Sequence, residues 1–484
     1  MLLSENRILF VYVNTQGYSL WDRKEYILNR PQFDKYYDKE FLESIIERKK
    51  LLEENILYTV GNVGGEFIAQ NILTPSKVIA EPINIDILKK EIEEFKPSHI
   101  GFSVNLSAFE LFKEYSSYTR QNYPQIKIVA GDVGALVPEI SQYADYVCRG
   151  EGVQFIRKLF NENLDKPIQI PRTQVIRFSP NPLKPNEYIP NKFGALTTDL
   201  GCGLGCDFCI TFALYKRNYI IGNALEIKKA LIDIGNSICS ETKSNDISII
   251  LTDPLAFKDE KLWLDVINLM HGENFCFHFN ILTSSSLLTK YTQPGHLLDA
   301  FQKSEEMEIS LVEMGLESLT EIYAKNRNIN WKELIHKLKD SGIVPALSMI
   351  IGYDYHTRKT ALEEVMTAIS FDPAMLHTVN LRILYETQLW YKYQAEKRLL
   401  DVPPEFRMLW GYQAFYHPHF EPQFKDCLPL MLEVNDIISS NLGSIYENFT
   451  PIIEKRKMTP YNKKLYSIGI AISNLKRKSQ KRQS

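Results

Sequence analysis

Histidine is scarce in this chain: nine residues in 484, none before His99 and none between Cys148 and His271. Imidazole from those two stretches is therefore unavailable as a metal ligand. Long apolar runs are also missing, since none reaches the ~18 residues a membrane span needs. The opening MLLSENRILFVYVNTQ is interrupted by Glu5 and Arg7 before a signal-peptide core could form. An excess of basic charge is lacking too: 56 Lys and Arg against 59 Asp and Glu give −3, which argues against a general nucleic-acid binder. The basic C-terminal end (Lys476, Arg477, Lys478, Lys481, Arg482) reads as a solvated terminus. Seven cysteines are an odd, sparse set without a disulfide-scaffold pattern, so a reducing cytoplasm is the expected home.

What is present is an ordinary globular composition, 44% hydrophobic and 24% charged, long enough for two or three domains. Strand-like RILFVYVN (7–14) opens the chain. A helical pattern at Asp86–Phe95, a strand at His99–Val104, a helix at Ala108–Asn122 and strands at Ile126–Ala130 and Tyr146–Cys148 follow. Such alternation predicts a parallel sheet covered on both faces. The Pro- and Asn-rich SPNPLKPNEYIPNKF reads as a linker. Six strands then alternate with helices: Ala195–Thr198, Ile247–Thr252, Cys276–Ile281, Ile309–Gly315, Val344–Ile351 and Val379–Ile383. The expectation is an α/β protein with an N-terminal doubly wound, Rossmann-like domain (1–165), a linker (166–193), a partial (β/α)6 barrel (194–390) and a mostly helical, aromatic C-terminal region (391–484).

Three of the seven cysteines fall in GCGLGCDFC (201–209), spaced C-x3-C-x2-C, in the loop after the first barrel strand. A structural zinc wants four ligands, and the next cysteine, Cys239, is 30 positions away. A disulfide leaves one thiol over. A cubane iron–sulfur cluster held by three thiolates keeps one iron open. The amino and carboxylate groups of S-adenosylmethionine can fill that position, and electron transfer into the sulfonium then releases a 5′-deoxyadenosyl radical. Gly201, Gly203 and Gly205 let the loop wrap a cluster closely. A zinc loop or three unrelated thiols are the alternatives. Cys148, Cys239, Cys276 and Cys427 read as core or incidental thiols.

The chain resembles the radical S-adenosylmethionine superfamily. TTDLGCGLGCDFC is similar to the family's first strand and cluster loop, and ISIILTDPLAFKDE, ISLVEMGLESLTEIYAKNRN and GIVPALSMIIGYDYHT to its second, fourth and fifth strands. The resemblance implies a [4Fe-4S] cluster on Cys202, Cys206 and Cys209. It also implies an S-adenosylmethionine site with Asp253 toward the methionine amino group, Glu317 and Ser318 toward ribose or carboxylate, and Gly352 near adenine. The alternative for Glu317 is an acid at a helix N-terminus, and for Gly352 a turn glycine. Tyr353-Asp354-Tyr355 and Tyr385-Glu386-Thr387 depart from the family's usual strand-end sequences.

KPSHIGFSVNLSAFE, IKIVAGDVGALVPE and ADYVCRGEG are similar to the cobalamin-binding domain that precedes the radical core in one subgroup. Ser103, Gly131, Asp132, Gly150 and Gly152 would lie in the loops beyond the strands, where small residues let a corrin approach. The Asp-x-His-x-x-Gly ligand motif is absent. Two readings stand: cobalamin bound without a histidine ligand, or a domain retained only for packing. The leading function is a cobalamin-dependent methyltransferase acting on an unactivated carbon. The alternative is a non-methylating radical enzyme (rearrangement, cyclisation, epimerisation or ring contraction), and a non-catalytic cluster or zinc protein is third. The implied partners are a small-molecule or peptide substrate and an electron donor such as flavodoxin or ferredoxin.

Overall fold

The computed structural model describes residues 6–14, 26–43, 58–60, 62–79, 84–181, 184–216, 219–320, 323–442, 448–449 and 452; for 58–60, 174–192 and 220, only the backbone is described. The basic C-terminal residues lie outside this set. The chain forms two compact units: 1–177, 200–222 and 382–427 make the first, and 178–199, 223–381 and 428–484 the second. Each therefore takes segments from both sides of the expected serial boundaries.

The first unit is built on a five-stranded parallel sheet. Its spatial order is Ser76–Ile79, Ile8–Val13, His99–Val104, Lys127–Gly131, Tyr146–Val147, or 2-1-3-4-5 in chain order. Ile8, Leu9, Val11, Val13, Ile100, Val104, Ile128 and Ala130 are wholly buried, the continuous apolar run of strands covered on both faces. The helix Phe109–Asn122 packs Phe109, Phe112 and Tyr115 into this core. The order reverses between Ile8–Val13 and His99–Val104, and a crevice opens beyond strand ends at such a switch point.

The second unit carries six consecutive parallel strands in sequential order: Lys184–Leu196, Asp246–Leu251, Cys276–Thr283, Met307–Glu317, Val344–Ile351 and Met375–Asn380. Right-handed crossovers in a sequential order place every helix on one face, as in a barrel. Phe279 shows that packing, touching Trp263 and Phe301 from the helices Glu260–Met270 and Leu297–Lys303.

Two sequence expectations need correction. The proline-rich stretch carries strands Thr173–Asn181 and Lys184–Leu196 instead of irregular linker. Proline forbids helix but biases the residue before it toward extended backbone, so composition does not separate coil from strand. The sixth strand runs Met375–Asn380, not Val379–Ile383. The apolar Leu381 and Ile383 are buried past its end and mimic a strand in sequence.

Candidate cofactor-binding loops and strand ends

The cysteine loop belongs to the first unit. Gly201 and Gly205 take φ of 79° and 70°, left-handed values that glycine adopts without strain. The Cys209 amide donates to the Cys206 carbonyl at 3.1 Å, and Cys209 then opens the short helix Ile210–Tyr215. Cys202 is buried, Cys206 and Cys209 are half-buried, and all three are thiols. Three thiolates on one loop, with no histidine within it, suit a cubane that keeps one iron open, whereas a structural zinc wants four ligands.

Ile210, Ala213 and Leu214 pack against the core of the same unit, and the Leu214 carbonyl stands 3.5 Å from where a Cβ on Gly150 would lie. Burial, then the charges of Asp132, Glu151 and Cys148, push the Tyr215 hydroxyl far above its usual range. The cysteine loop thus continues into a helix that lies beside the strand-end loops of the doubly wound sheet.

Those loops hold the expected cobalamin residues. Ser103 donates to Asp132 Oδ2 at 3.1 Å, and Asp132 Oδ1 accepts from the Val133 amide at 2.7 Å. Asp132 has φ of 66° and is exposed, yet the protein crowded around it raises its carboxyl pKa. An exposed carboxylate with crowded surroundings is a cleft feature. A Cβ on Gly131 would meet nothing nearer than Cys148 at 3.8 Å, an ordinary contact, so packing does not itself require glycine there. Gly152 differs: its Cβ would strike Ile68 Cδ1 at 2.6 Å, so its bareness serves packing against the helix Val63–Ala69. Glu151, unmarked in the sequence, caps the helix Gly152–Leu159 through the Val153 and Gln154 amides.

The residues expected around S-adenosylmethionine lie at strand C-termini of the second unit. Asp253 Oδ1 accepts from the amides of Thr198 (2.7 Å) and Asp199 (3.0 Å), and Oδ2 accepts from the Thr198 hydroxyl. Burial pushes this carboxyl up to about 7, against the lowering effect of those bonds. Asp253 therefore fastens the two residues that lead into the cysteine loop.

Glu317 is buried at φ 62° and pairs with Lys325. It ends the strand Met307–Glu317, which removes the helix-terminus alternative. Ser318 hydrogen-bonds Tyr355, and its hydroxyl lies 3.5 Å from Glu364 Oε1. Glu364 also accepts from the Leu319 (3.1 Å) and Thr320 (2.9 Å) amides. Burial acts to raise the Glu364 pKa, but bonds from His356, Thr320 and Leu319 outweigh it and hold the carboxyl down at about 2. His356, fully buried, accepts the Gly352 amide on Nδ1 at 2.9 Å and sets Nε2 3.4 Å from Glu364. Gly352 has φ of 101°, and a Cβ there would meet Leu381 only at 3.9 Å, so its bareness answers to backbone conformation. Lys325, Tyr355, His356 and Glu364 were missed in sequence because their spacings follow no motif. The one signal was the departure at Tyr353-Asp354-Tyr355.

No family model matches the sequence, and no curated protein matches it. Solved structures do. The radical S-adenosylmethionine methyltransferase TsrM from Kitasatospora setae, with cobalamin and a [4Fe-4S] cluster bound, superimposes with a TM-score of 0.58 at 12% identity, covering 99% of both chains. TsrM with tryptophan substrate and a S-adenosylmethionine analogue gives 0.59 at 11% identity, covering 99% of this chain and 100% of that one. The cobalamin-dependent radical enzyme OxsB, with aqua-cobalamin and S-adenosylmethionine, gives 0.50 at 13% identity over 81% of this chain and 56% of its own. Along nearly its whole length the chain has the fold of TsrM, a cobalamin-carrying representative of the subgroup whose motifs the sequence resembles.

Proposed function

We propose that this protein is a radical S-adenosylmethionine enzyme holding a [4Fe-4S] cluster on Cys202, Cys206 and Cys209, and that it transfers a methyl group to an unactivated carbon with cobalamin as carrier. The supporting observation is the three-thiol loop, turned by Gly201 and Gly205 and followed by a helix beside the open strand-end loops at Gly131 and Asp132. When bound, the cluster supplies an open iron and an electron for cleaving the sulfonium, and cobalamin supplies a methyl carrier.

The chain's own residues position these groups. Asp253 fixes the departure of the loop through Thr198 and Asp199. Glu364 and His356 hold the backbone at 319–320 and 352. Glu317, Ser318 and Gly352 are the contacts proposed for S-adenosylmethionine, and Ser103, Asp132, Gly131 and Gly150 those for cobalamin. The substrate would be a small molecule or peptide, and the electron donor a flavodoxin- or ferredoxin-like protein. A radical reaction without methyl transfer is the second reading. It is favoured by Gly152, which serves helix packing and not a ligand.

Anaerobic reconstitution tests the cluster. Close to four irons per chain are expected, at alternate corners of a cubane whose other corners are sulfide, with 5′-deoxyadenosine or S-adenosylhomocysteine released on reduction. Cys206→Ala should lose the cluster and Cys427→Ala keep it; full iron retention in Cys206→Ala overturns the assignment. Added hydroxocobalamin should bind base-off without a nitrogen ligand, and Gly131→Trp should exclude it with the cluster intact. Failure of the wild-type protein to take up cobalamin leaves the radical-only reading.

A further inference from the structure

The barrel sheet carries a second cluster of metal-ligating side chains at the opposite, N-terminal end of its strands. Asp246 and Cys276 are the first residues of adjacent strands and register partners. His278 lies two residues past Cys276, hence on the same face of the pleat, and its own register partner on the next strand is Glu308. Strand register alone therefore brings four ligand-type side chains from three strands onto one face. It is the face opposite Phe279, whose ring packs against the helices.

One ligand atom each from Asp246, Cys276 and His278 lie within 4.8 Å of one another, the one such group among the described residues. His278 Nε2 stands 3.0 Å from Asp246 Oδ1, while Nδ1 is 2.6 Å from Glu308 Oε1. The imidazole is buried and Asp246 and Cys276 are half-buried, so a small ion has a way in.

We propose that Asp246, Cys276 and His278 form a divalent-cation site, taking zinc first, with Glu308 as its positioning residue. Ligand atoms of a tetrahedral zinc stand about 3.3–3.8 Å apart. The Nε2–Oδ1 pair, 3.0 Å apart, would open slightly around a cation. Thiolate, imidazole and carboxylate together suit zinc better than magnesium or calcium, which prefer oxygen alone. His278 would bind through Nε2 and donate Nδ1–H to Glu308, the carboxylate–histidine–metal arrangement that fixes tautomer and ring orientation. Binding releases the thiol proton and any proton on Nε2. Three protein ligands leave a fourth position for water. The location, at the strand starts and away from the C-terminal ends where barrel chemistry occurs, assigns the ion to tying two strands together, with the third joined through Glu308.

The test uses the full-length Cys202→Ala/Cys206→Ala/Cys209→Ala protein, which removes the competing thiols and makes the result independent of the cluster assignment. Cobalt(II) titration should give one equivalent with a thiolate-to-cobalt absorption band, and zinc should displace it. Cys276→Ser should abolish the band and His278→Gln the binding, while Cys427→Ser leaves both. Glu308→Gln, which keeps every ligand, should weaken affinity about ten- to hundredfold. No uptake by the triple variant with a parent-like circular dichroism spectrum overturns the site, as does uptake unchanged by both Cys276→Ser and His278→Gln. Unchanged affinity in Glu308→Gln removes the role given to Glu308.

Discussion

Two buried acids of the barrel unit, Asp253 just past a strand end and Glu364 in the helix Arg358–Ser370, accept similar backbone donors and have opposite electrostatics. Each accepts two backbone amides, from Thr198 and Asp199 in one case and from Leu319 and Thr320 in the other. Burial pushes both carboxyls toward the neutral form. At Asp253, with Asp199 adding to the repulsion, burial wins and the pKa stands at about 7. At Glu364 the His356 side chain and the Thr320 and Leu319 donors reverse it to about 2. The set of donors around each carboxylate, and not burial alone, decides which of the two stays ionised.

The largest effect that can sharpen this contrast is deletion of the His356 partner. Glu364→Ala at pH 7 should cost about 2–5 kcal/mol in urea unfolding, because it leaves the Leu319 and Thr320 amides buried without their acceptor. Asp253→Asn at pH 8 should cost far less, because it removes a poorly stabilised charge. Equal costs would break the comparison.

The pH dependence comes next, and the two acids carry opposite signs. The folded pKa of Asp253 exceeds its unfolded value, so the native state binds the extra proton between about 4 and 7 and stability falls as pH rises through that window. The loss amounts to roughly 3–4 kcal/mol. Asp253→Asn should flatten this slope. The folded pKa of Glu364 is depressed, so its contribution is present above about 4.5 and declines as pH falls toward 2. Partial solvent screening reduces that loss to roughly 2–3 kcal/mol. Stability curves of wild type, Asp253→Asn and Glu364→Gln separate the two windows, and a wild-type curve without the fall between pH 4 and 7 refutes the Asp253 shift.

A smaller effect is expected on ligand affinity. Asp253→Ala should weaken S-adenosylmethionine binding roughly tenfold, about 1.4 kcal/mol, with iron content unchanged. An unaltered dissociation constant would confine Asp253 to holding the loop. The smallest change is Tyr355→Phe, which removes the Ser318 hydrogen bond and should cost about 0.5–1.5 kcal/mol.

The cysteine loop was legible because its chemistry is local: three thiols and three glycines within nine residues state their spacing in the sequence. The alternation of strands and helices was legible for the same reason, since periods of 2 and 3.6 are properties of short windows. The strand Val344–Ile351 emerged with its expected bounds, and Ile309–Gly315 extended to Met307–Glu317. Strand order was not visible. The 2-1-3-4-5 and sequential sheets arise from the same β–α rhythm, and the order fixes whether a crevice forms at a switch point or at a barrel mouth. Nor could sequence show that Gly152 clears space for Ile68 while a Cβ at Gly131 would meet only an ordinary contact, because both are glycines in similar loops. Cys276 read as an incidental thiol until strand register set it and His278 beside Asp246. Residues far apart along the chain meet only when strands pair and helices cross over, so which acid gains an imidazole neighbour, which glycine is crowded and which thiol finds a carboxylate are outcomes of packing.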